Sequence, residues 1–231
     1  MSEESNLQEN ELFDRIWAKY SKLLAEQGPA DGSKLTKNWT RDKSFVLFWI
    51  KADIHLQTKI ARLISPLREM YSSHHYFEEG HITLKSCGLL GEEVKDRDMP
   101  EIINIANEVF ANFRPFSVNL KGFNVFPTTF FVQVYDLQGF LHKMHNHLRR
   151  SLGSLVRQYE EFEGLNYIPH LTVGRFRNDG NISLMLDTLQ DMRNTVVADY
   201  NIRHIELVSS YGYEPGSKWQ TIRIFDLGQE K

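Results

Sequence analysis

Two segments of this chain, 89 residues apart, share one pattern of polar and apolar residues. His81–Leu84 reads His-Ile-Thr-Leu, and His170–Val173 reads His-Leu-Thr-Val. Because successive side chains of a strand point to opposite faces, each segment predicts a half-buried strand with histidine and threonine on one face and two aliphatic residues on the other. A single His-x-Thr occurs easily by chance, whereas two copies in strand phase indicate a function.

Landmarks around the two segments repeat at nearly the same spacing. Phe130 lies 85 residues after Phe45, and Ile202 lies 86 residues after Phe116. The elements predicted between these landmarks match, which indicates a duplicated strand–helix–strand–helix–strand unit. Two such units are expected to pack about a pseudo-two-fold axis, so that the two His-Thr pairs face each other across a central cleft.

The chain begins with a segment that lies outside the duplication. Asn10–Glu26 has apolar residues at helical spacing and is followed by Gly28 and Pro29, which end helices. We interpret residues 1–43 as an N-terminal helix and loop extension. Residues 44–227 are predicted to form a single domain, with lobes at about 44–123 and 124–227.

Two further elements of the units are predicted from periodicity. Asp53–Met70 has a helical stripe of aliphatic residues, and Pro66 is expected to kink this helix. Ile202–Tyr213 is predicted to be one continuous strand.

Composition limits the class of partner and the compartment. The formal net charge is −3, so no global positive field favours binding of a long RNA duplex, whereas a nucleotide or one RNA 3′-end remains possible. The only cysteine, Cys87, fits a reducing compartment. There is no signal peptide pattern and no apolar run of roughly 18 residues. We expect a cytoplasmic monomer with no membrane association and no obligate protein partner.

The repeated side chains suit acid–base chemistry at a phosphate. Imidazole titrates near pH 6.5, so His81 and His170 can serve as one acid and one base in a displacement. The hydroxyl groups of Thr83 and Thr172 can donate hydrogen bonds to phosphate oxygens. Arg175 supplies a cation that matches phosphate. Strict alternation directs Arg175 away from His170, unless Gly174 marks a bulge that turns it back.

With these motifs, the chain resembles the 2H phosphoesterase superfamily, and in particular 2′-5′ RNA ligase-like proteins and RNA 2′,3′-cyclic phosphodiesterases. The resemblance covers Ser44–Leu227. It implies a bilobal α+β fold in which two antiparallel sheets flank a central cleft, with helices outside. It also implies hydrolysis of a 2′,3′-cyclic phosphate or a 2′-5′-type phosphodiester without metal or other cofactor. By the family's usual scheme, His81 would be the acid and His170 the base.

Two other functions use the same residues. A 2′-5′ RNA ligase would run the reverse chemistry, although an acidic chain with no evident track for two RNA strands makes this less favourable. An inactive nucleotide-binding module would keep the fold alone, and the intact histidines and threonines argue against it.

Several aromatic residues and a group of histidines are further candidates for contact with a ligand. Phe126, Tyr211 and Tyr213 are predicted to stack on a base, and Trp219 is a further aromatic candidate. The histidines of a predicted helix have metal-like spacing but no cysteine nearby; they are His142, His145 and His147. We interpret them as a solvated helix face, and no metal site is predicted.

Overall fold

The computed structural model describes five ranges of the chain, which are 3–30, 43–77, 79–177, 181–211 and 218–228. The helices are α1 (Glu3–Gln27), α2 (Ile54–Leu63), α3 (Ser65–Met70), α4 (Met99–Phe110), α5 (Phe140–Leu152) and α6 (Ile182–Asp191). The strands are β1 (Ser44–Lys51), β2 (His75–Tyr76), β3 (His81–Leu89), β4 (Phe116–Val125), β5 (Thr129–Tyr135), β6 (His170–Arg175), β7 (Val196–Ile202), β8 (His204–Tyr211) and β9 (Trp219–Asp226). Across these ranges, no helix has the length and apolar character needed to cross a membrane.

Within the described ranges, nine strands form one antiparallel sheet. Its order is β7-β4-β5-β6-β3-β1-β8-β9, and the short β2 also pairs with β6. The sheet has two four-stranded halves, which join where β3 pairs with β6. The expected α+β fold with two related lobes of antiparallel sheet is confirmed. Each half contains strands from the other half of the sequence, because β4 pairs with β5, and β8, which carries β9 with it, pairs with β1.

Two predicted elements differ from those observed. The predicted helix Asp53–Met70 is divided at Ile64 into α2 and α3, and Pro66 stands at the start of α3, where its missing N–H costs nothing. The strand predicted over Ile202–Tyr213 contains β8, whereas β7, which ends at Ile202, was not predicted. These two strands lie in different halves of the sheet because β7 pairs with β4 and β8 with β1.

The sheet buries apolar side chains on both faces, as β1 illustrates. Val46, Phe48 and Ile50 belong to the main core, which α2 to α6 complete on one face. Their neighbours Phe45 and Trp49 belong to a separate cluster on the opposite face. We call these the core face and the site face, because the site face also carries the two histidines. Burial on both faces explains why β1 reads as a continuous apolar run.

The glycine of the second motif allows close contact between strands. A Cβ at Gly174 would lie 2.2 Å from Cζ of Phe130 and 2.6 Å from the carbonyl oxygen of His75. A Cβ at Gly80 would lie 2.8 Å from Cδ2 of Leu171, which is the end of a flexible side chain. The space at position 174 is therefore limited partly by backbone, which cannot move aside without disturbing the sheet.

We therefore expect Gly174→Ala to destabilise the protein by about 1–3 kcal/mol through overpacking. Gly80→Ala is the matched control and should cost less, because the Leu171 side chain can shift. Urea denaturation measures both free energies of unfolding. Equal losses in the two variants would contradict this account of Gly174.

Candidate active site

The two motifs lie beside each other because β3 pairs with β6. Ile82 is opposite Leu171, and both side chains belong to the main core. Continuing this antiparallel register sets His81 opposite Thr172, and Thr83 opposite His170. All four side chains lie on the site face and are partly exposed. Directly opposed residues have Cβ atoms about 4.5–5.5 Å apart and diagonal ones about 7–8 Å apart, so this group has the dimensions of a phosphate site.

Each histidine is anchored by the backbone two residues earlier. Nδ1 of His170 lies 2.8 Å from the carbonyl oxygen of Ile168. His81 likewise hydrogen-bonds to the backbone of Glu79. When Nδ1 of His170 donates its proton to this carbonyl, Nε2 is the ring nitrogen left for a ligand. Both rings thus interact with the backbone two residues before them.

Burial favours the neutral form of both rings. It lowers the pKa of His81 to about 4, and the nearby His170 adds to this shift. Burial also lowers the pKa of His170 below its usual value. The influence of His170 on His81 agrees with their positions on adjacent strands. A bound phosphate anion would oppose these shifts, because negative charge favours imidazolium.

Arg175 shares the site face because β6 is irregular. Thr172 pairs with Phe131, whereas Gly174 pairs with Phe130, so Val173 is an extra residue on β6. The extra residue changes the alternation, and Arg175 then lies on the same face as Thr172 instead of the core face. Its proposed contact with phosphate stays a prediction.

The aromatic neighbours of the two histidines differ. Trp49 of β1 packs on His81 with 4.6 Å between ring centroids, and Trp219 of β9 lies 6.0 Å from His81 and 4.9 Å from Trp49. Trp49 is buried, and its Nε1 donates to Oε2 of Glu206 at 3.2 Å. Trp49 was not predicted as a site residue, because the continuous apolar run of β1 does not indicate which of its residues lie on the site face.

A second cation near His81 was also missed. Lys51 is opposite His81 in the β1–β3 pairing and is one of the groups that lower the pKa of that histidine. Its Nζ lies 3.2 Å from Oε1 of Glu79. Only the pairing of β1 with β3 brings Lys51 to the site, so no local sequence signal indicated it.

A buried polar network forms hydrogen bonds to the backbone of the first motif. The hydroxyl of Tyr167 donates to the carbonyl oxygen of Thr83 at 3.1 Å. His145 stacks on Tyr167, with 4.1 Å between centroids, and its Nδ1 lies 2.8 Å from the carbonyl oxygen of Leu84. Its Nε2 accepts from the amide of Gly164 at 2.9 Å. His145 is thus a buried neutral residue, and placing it on a solvated helix face was wrong.

The predicted base-stacking residues have different outcomes. Phe126 stacks on Phe131 with 4.4 Å between centroids and meets His170 edge-on at 5.1 Å. Tyr213 and the side chain of Tyr211 lie outside the described residues, so their stacking role stays a prediction. No group of three or more His, Cys, Asp or Glu side chains suited to a metal ion occurs in the part of the chain that the structure describes.

The fold and the paired motifs define the class of protein. A two-lobed α+β architecture with a His-Thr pair from each lobe on one sheet face is that of a 2H phosphoesterase. The model of the 2′-5′ RNA ligase superfamily matches residues 56–214, and the chain belongs to this superfamily.

Two curated relatives are similar in sequence. The chain is 24% identical over 180 residues to the RNA 2′,3′-cyclic phosphodiesterase of Methanothermobacter thermautotrophicus, covering 77% of this chain and 96% of the relative. It is also 24% identical over 149 residues to the protein of the same name from Methanocaldococcus jannaschii, covering 63% and 79%.

Solved structures show the same fold. The chain is similar to E. coli LigT complexed with 3′-AMP, with a TM-score of 0.60, 13% identity, and coverage of 80% of this chain and 98% of LigT. It is also similar to TT0787 of Thermus thermophilus, with a TM-score of 0.58, 16% identity, and coverage of 81% and 100%. About a fifth of this chain therefore has no counterpart in those proteins.

Proposed function

We propose that this protein is a metal-independent phosphodiesterase that hydrolyses a 2′,3′-cyclic phosphate or a 2′-5′-type phosphodiester of RNA ends or small nucleotides. The observation that supports this most directly is the pairing of β3 with β6 at Ile82 and Leu171, with both His-Thr pairs on the open face. Membership of the superfamily and two relatives named RNA 2′,3′-cyclic phosphodiesterase support the reaction class.

The two imidazoles would share the proton transfers of an in-line displacement. His170 removes a proton from water while the water oxygen bonds to phosphorus. The bond from phosphorus to the 3′ oxygen of the ribose breaks, and His81 gives its proton to that oxygen. The products are a 2′-phosphate monoester and a free 3′-hydroxyl, and proton exchange with solvent resets both rings. Each transfer typically contributes about 10²–10⁴-fold to the rate.

The remaining polar groups would hold the phosphate. Thr83 and Thr172 donate hydrogen bonds to its non-bridging oxygens, where negative charge is held in the transition state. Lys51, opposite His81 on β1, and Arg175, beyond Thr172 on β6, supply positive charge. This donor set needs no metal ion or other cofactor for charge balance.

A 2′-5′ RNA ligase would use the same residues for the reverse reaction, whereas an inactive nucleotide-binding module would have the fold without catalytic activity. Two complete His-Thr pairs on one face favour an active enzyme. The substrate of the proposed reaction is a nucleotide or an RNA 3′-end. We propose that the protein is cytoplasmic, which the buried, free Cys87 fits, and that it acts as a monomer.

Chelator and threonine variants test this mechanism. Hydrolysis of adenosine 2′,3′-cyclic phosphate should continue in excess chelator. Thr83→Val and Thr172→Val should fold normally and lower kcat by about 10²–10³-fold, because each removes one hydrogen bond to developing charge. Thr58→Val, at an exposed position of α2, is the control and should keep full activity. Activity that disappears with chelator and returns with a divalent ion would refute the proposal.

The pH dependence follows from the lowered pKa values of both histidines. In the free enzyme a protonated imidazole is abundant only below about pH 6.5, so kcat/KM should fall as the pH rises above that value. Bound phosphate raises the imidazole pKa, and the same limb should lie at higher pH in the kcat profile. The apparent pKa values in the two profiles belong to the coupled pair of histidines and not to either residue alone. A kcat/KM that increases through pH 8 would contradict this assignment.

A further inference from the structure

The middle of helix α1 lies on the site face against β5, which is the neighbour of the strand that carries His170, whereas Leu24 near the end of the helix belongs to the main core. Its residues Phe13 and Ile16 are buried against Phe131 and Tyr135 of β5. Phe131 is the direct partner of Thr172 on β6. The helix therefore occupies the surface immediately beside the second His-Thr pair.

Polar contacts fix α1 in this position. Nδ2 of the buried Asn124 donates to the carbonyl oxygen of Phe13 at 2.8 Å. The hydroxyl of Tyr135 donates to Oδ1 of Asn10 at 3.0 Å, and Arg193 forms an ion pair with Asp14. Because these contacts join α1 to several residues of the sheet and its surroundings, the helix is held firmly on the sheet surface.

Helix α1 is connected to His170 through the aromatic ring of Phe126. Tyr20 meets Phe126 edge-on with 5.8 Å between centroids. Phe126 and the adjacent Phe131 both meet His170 edge-on, at 5.1 and 5.2 Å. Aromatic rings thus enclose His170 on the β5 side, and Tyr20 holds Phe126 against it.

In the His81 half of the site face, no helix of the described ranges takes a corresponding place. Its apolar cluster contains no helical residue among those described; the members are Phe45, Leu47, Trp49, Leu89, Tyr159 and Val208, with Trp219 packed against them. Trp219 is partly exposed, and Ile224 of the edge strand β9 is 53% exposed. A planar group can therefore approach His81 and lie on the partly exposed indole ring of Trp219.

We propose that α1 makes the active site one-sided, so that a nucleoside occupies only the His81 half and the His170 half admits only water. The inference rests on the proposed function and narrows it. A phosphodiester between two nucleosides needs both halves, whereas a terminal 2′,3′-cyclic phosphate needs one. The substrate class is then the cyclic phosphate of a nucleoside or an RNA 3′-end, and neither cleavage nor synthesis of a 2′-5′ linkage fits.

This asymmetry also accounts for the direction of proton transfer. The enclosed His170 faces the position of the water and acts as the base. His81 faces the ribose and protonates its departing oxygen. The helix thereby distinguishes two motifs that the duplicated fold leaves equivalent.

Two substrates and one position on α1 test the proposal. The kcat/KM values for adenosine 2′,3′-cyclic phosphate and for 2′-5′-linked ApA are measured with the wild type, Tyr20→Ala and Tyr20→Phe. The wild type should hydrolyse only the cyclic substrate. Tyr20→Ala lets Phe126 move away from His170, so it should keep cyclic activity and raise 2′-5′ cleavage by about tenfold or more relative to it. Tyr20→Phe keeps the ring and should behave as the wild type.

The outcomes separate this inference from the proposed function. Comparable cleavage of both substrates by the wild type, or an unchanged ratio in Tyr20→Ala, would overturn the one-sided site while leaving the phosphodiesterase intact. Hydrolysis of neither substrate by the wild type would overturn the proposed function and the inference with it. If Tyr20→Ala does not fold, Tyr20→Leu keeps the apolar volume without the ring and gives the same comparison.

Discussion

The backbone pairing of β3 with β6 at Ile82 and Leu171 is the contact on which the site depends. Both partners are buried in the main core, so the polar residues on either side of them can only face the other way. A slip of one residue would exchange the faces and bury the histidines. The same contact joins the two halves of the sheet, which means that the fold and the site are specified by one register.

The sequence predicted what depends on local alternation, and it could not predict what depends on distant pairing. The strands of both His-Thr motifs follow from residue order, and glycine in the second motif indicated a bulge nearby, which the structure has at Val173. The exchange of β4, β8 and β9 between halves could not be predicted, because no local pattern specifies a partner strand. His145 has a polar side chain on an amphipathic helix, and only its contacts with Leu84 and Gly164 show why it is buried.

The pseudo-two-fold symmetry of the motifs does not extend to their surroundings. His170 lies among phenylalanines that α1 covers, whereas His81 lies against Trp49, with Trp219 close by and partly exposed. Both rings interact with the backbone two residues before them, and the difference between them lies in the side chains that surround each ring. In this account, duplication supplied two interchangeable imidazoles, and a segment outside the duplicated unit gave each one a separate task.

The central claim is that His81 and His170 act as one unit on one phosphate, and a double-mutant cycle tests it most directly. His81→Ala and His170→Ala are each expected to lower kcat/KM for adenosine 2′,3′-cyclic phosphate by about 10²–10⁴-fold. Residues that act as a unit are strongly non-additive, so the double variant should be about as slow as the slower single variant. Losses that multiply in the double variant would show that the histidines act independently, and would contradict the account.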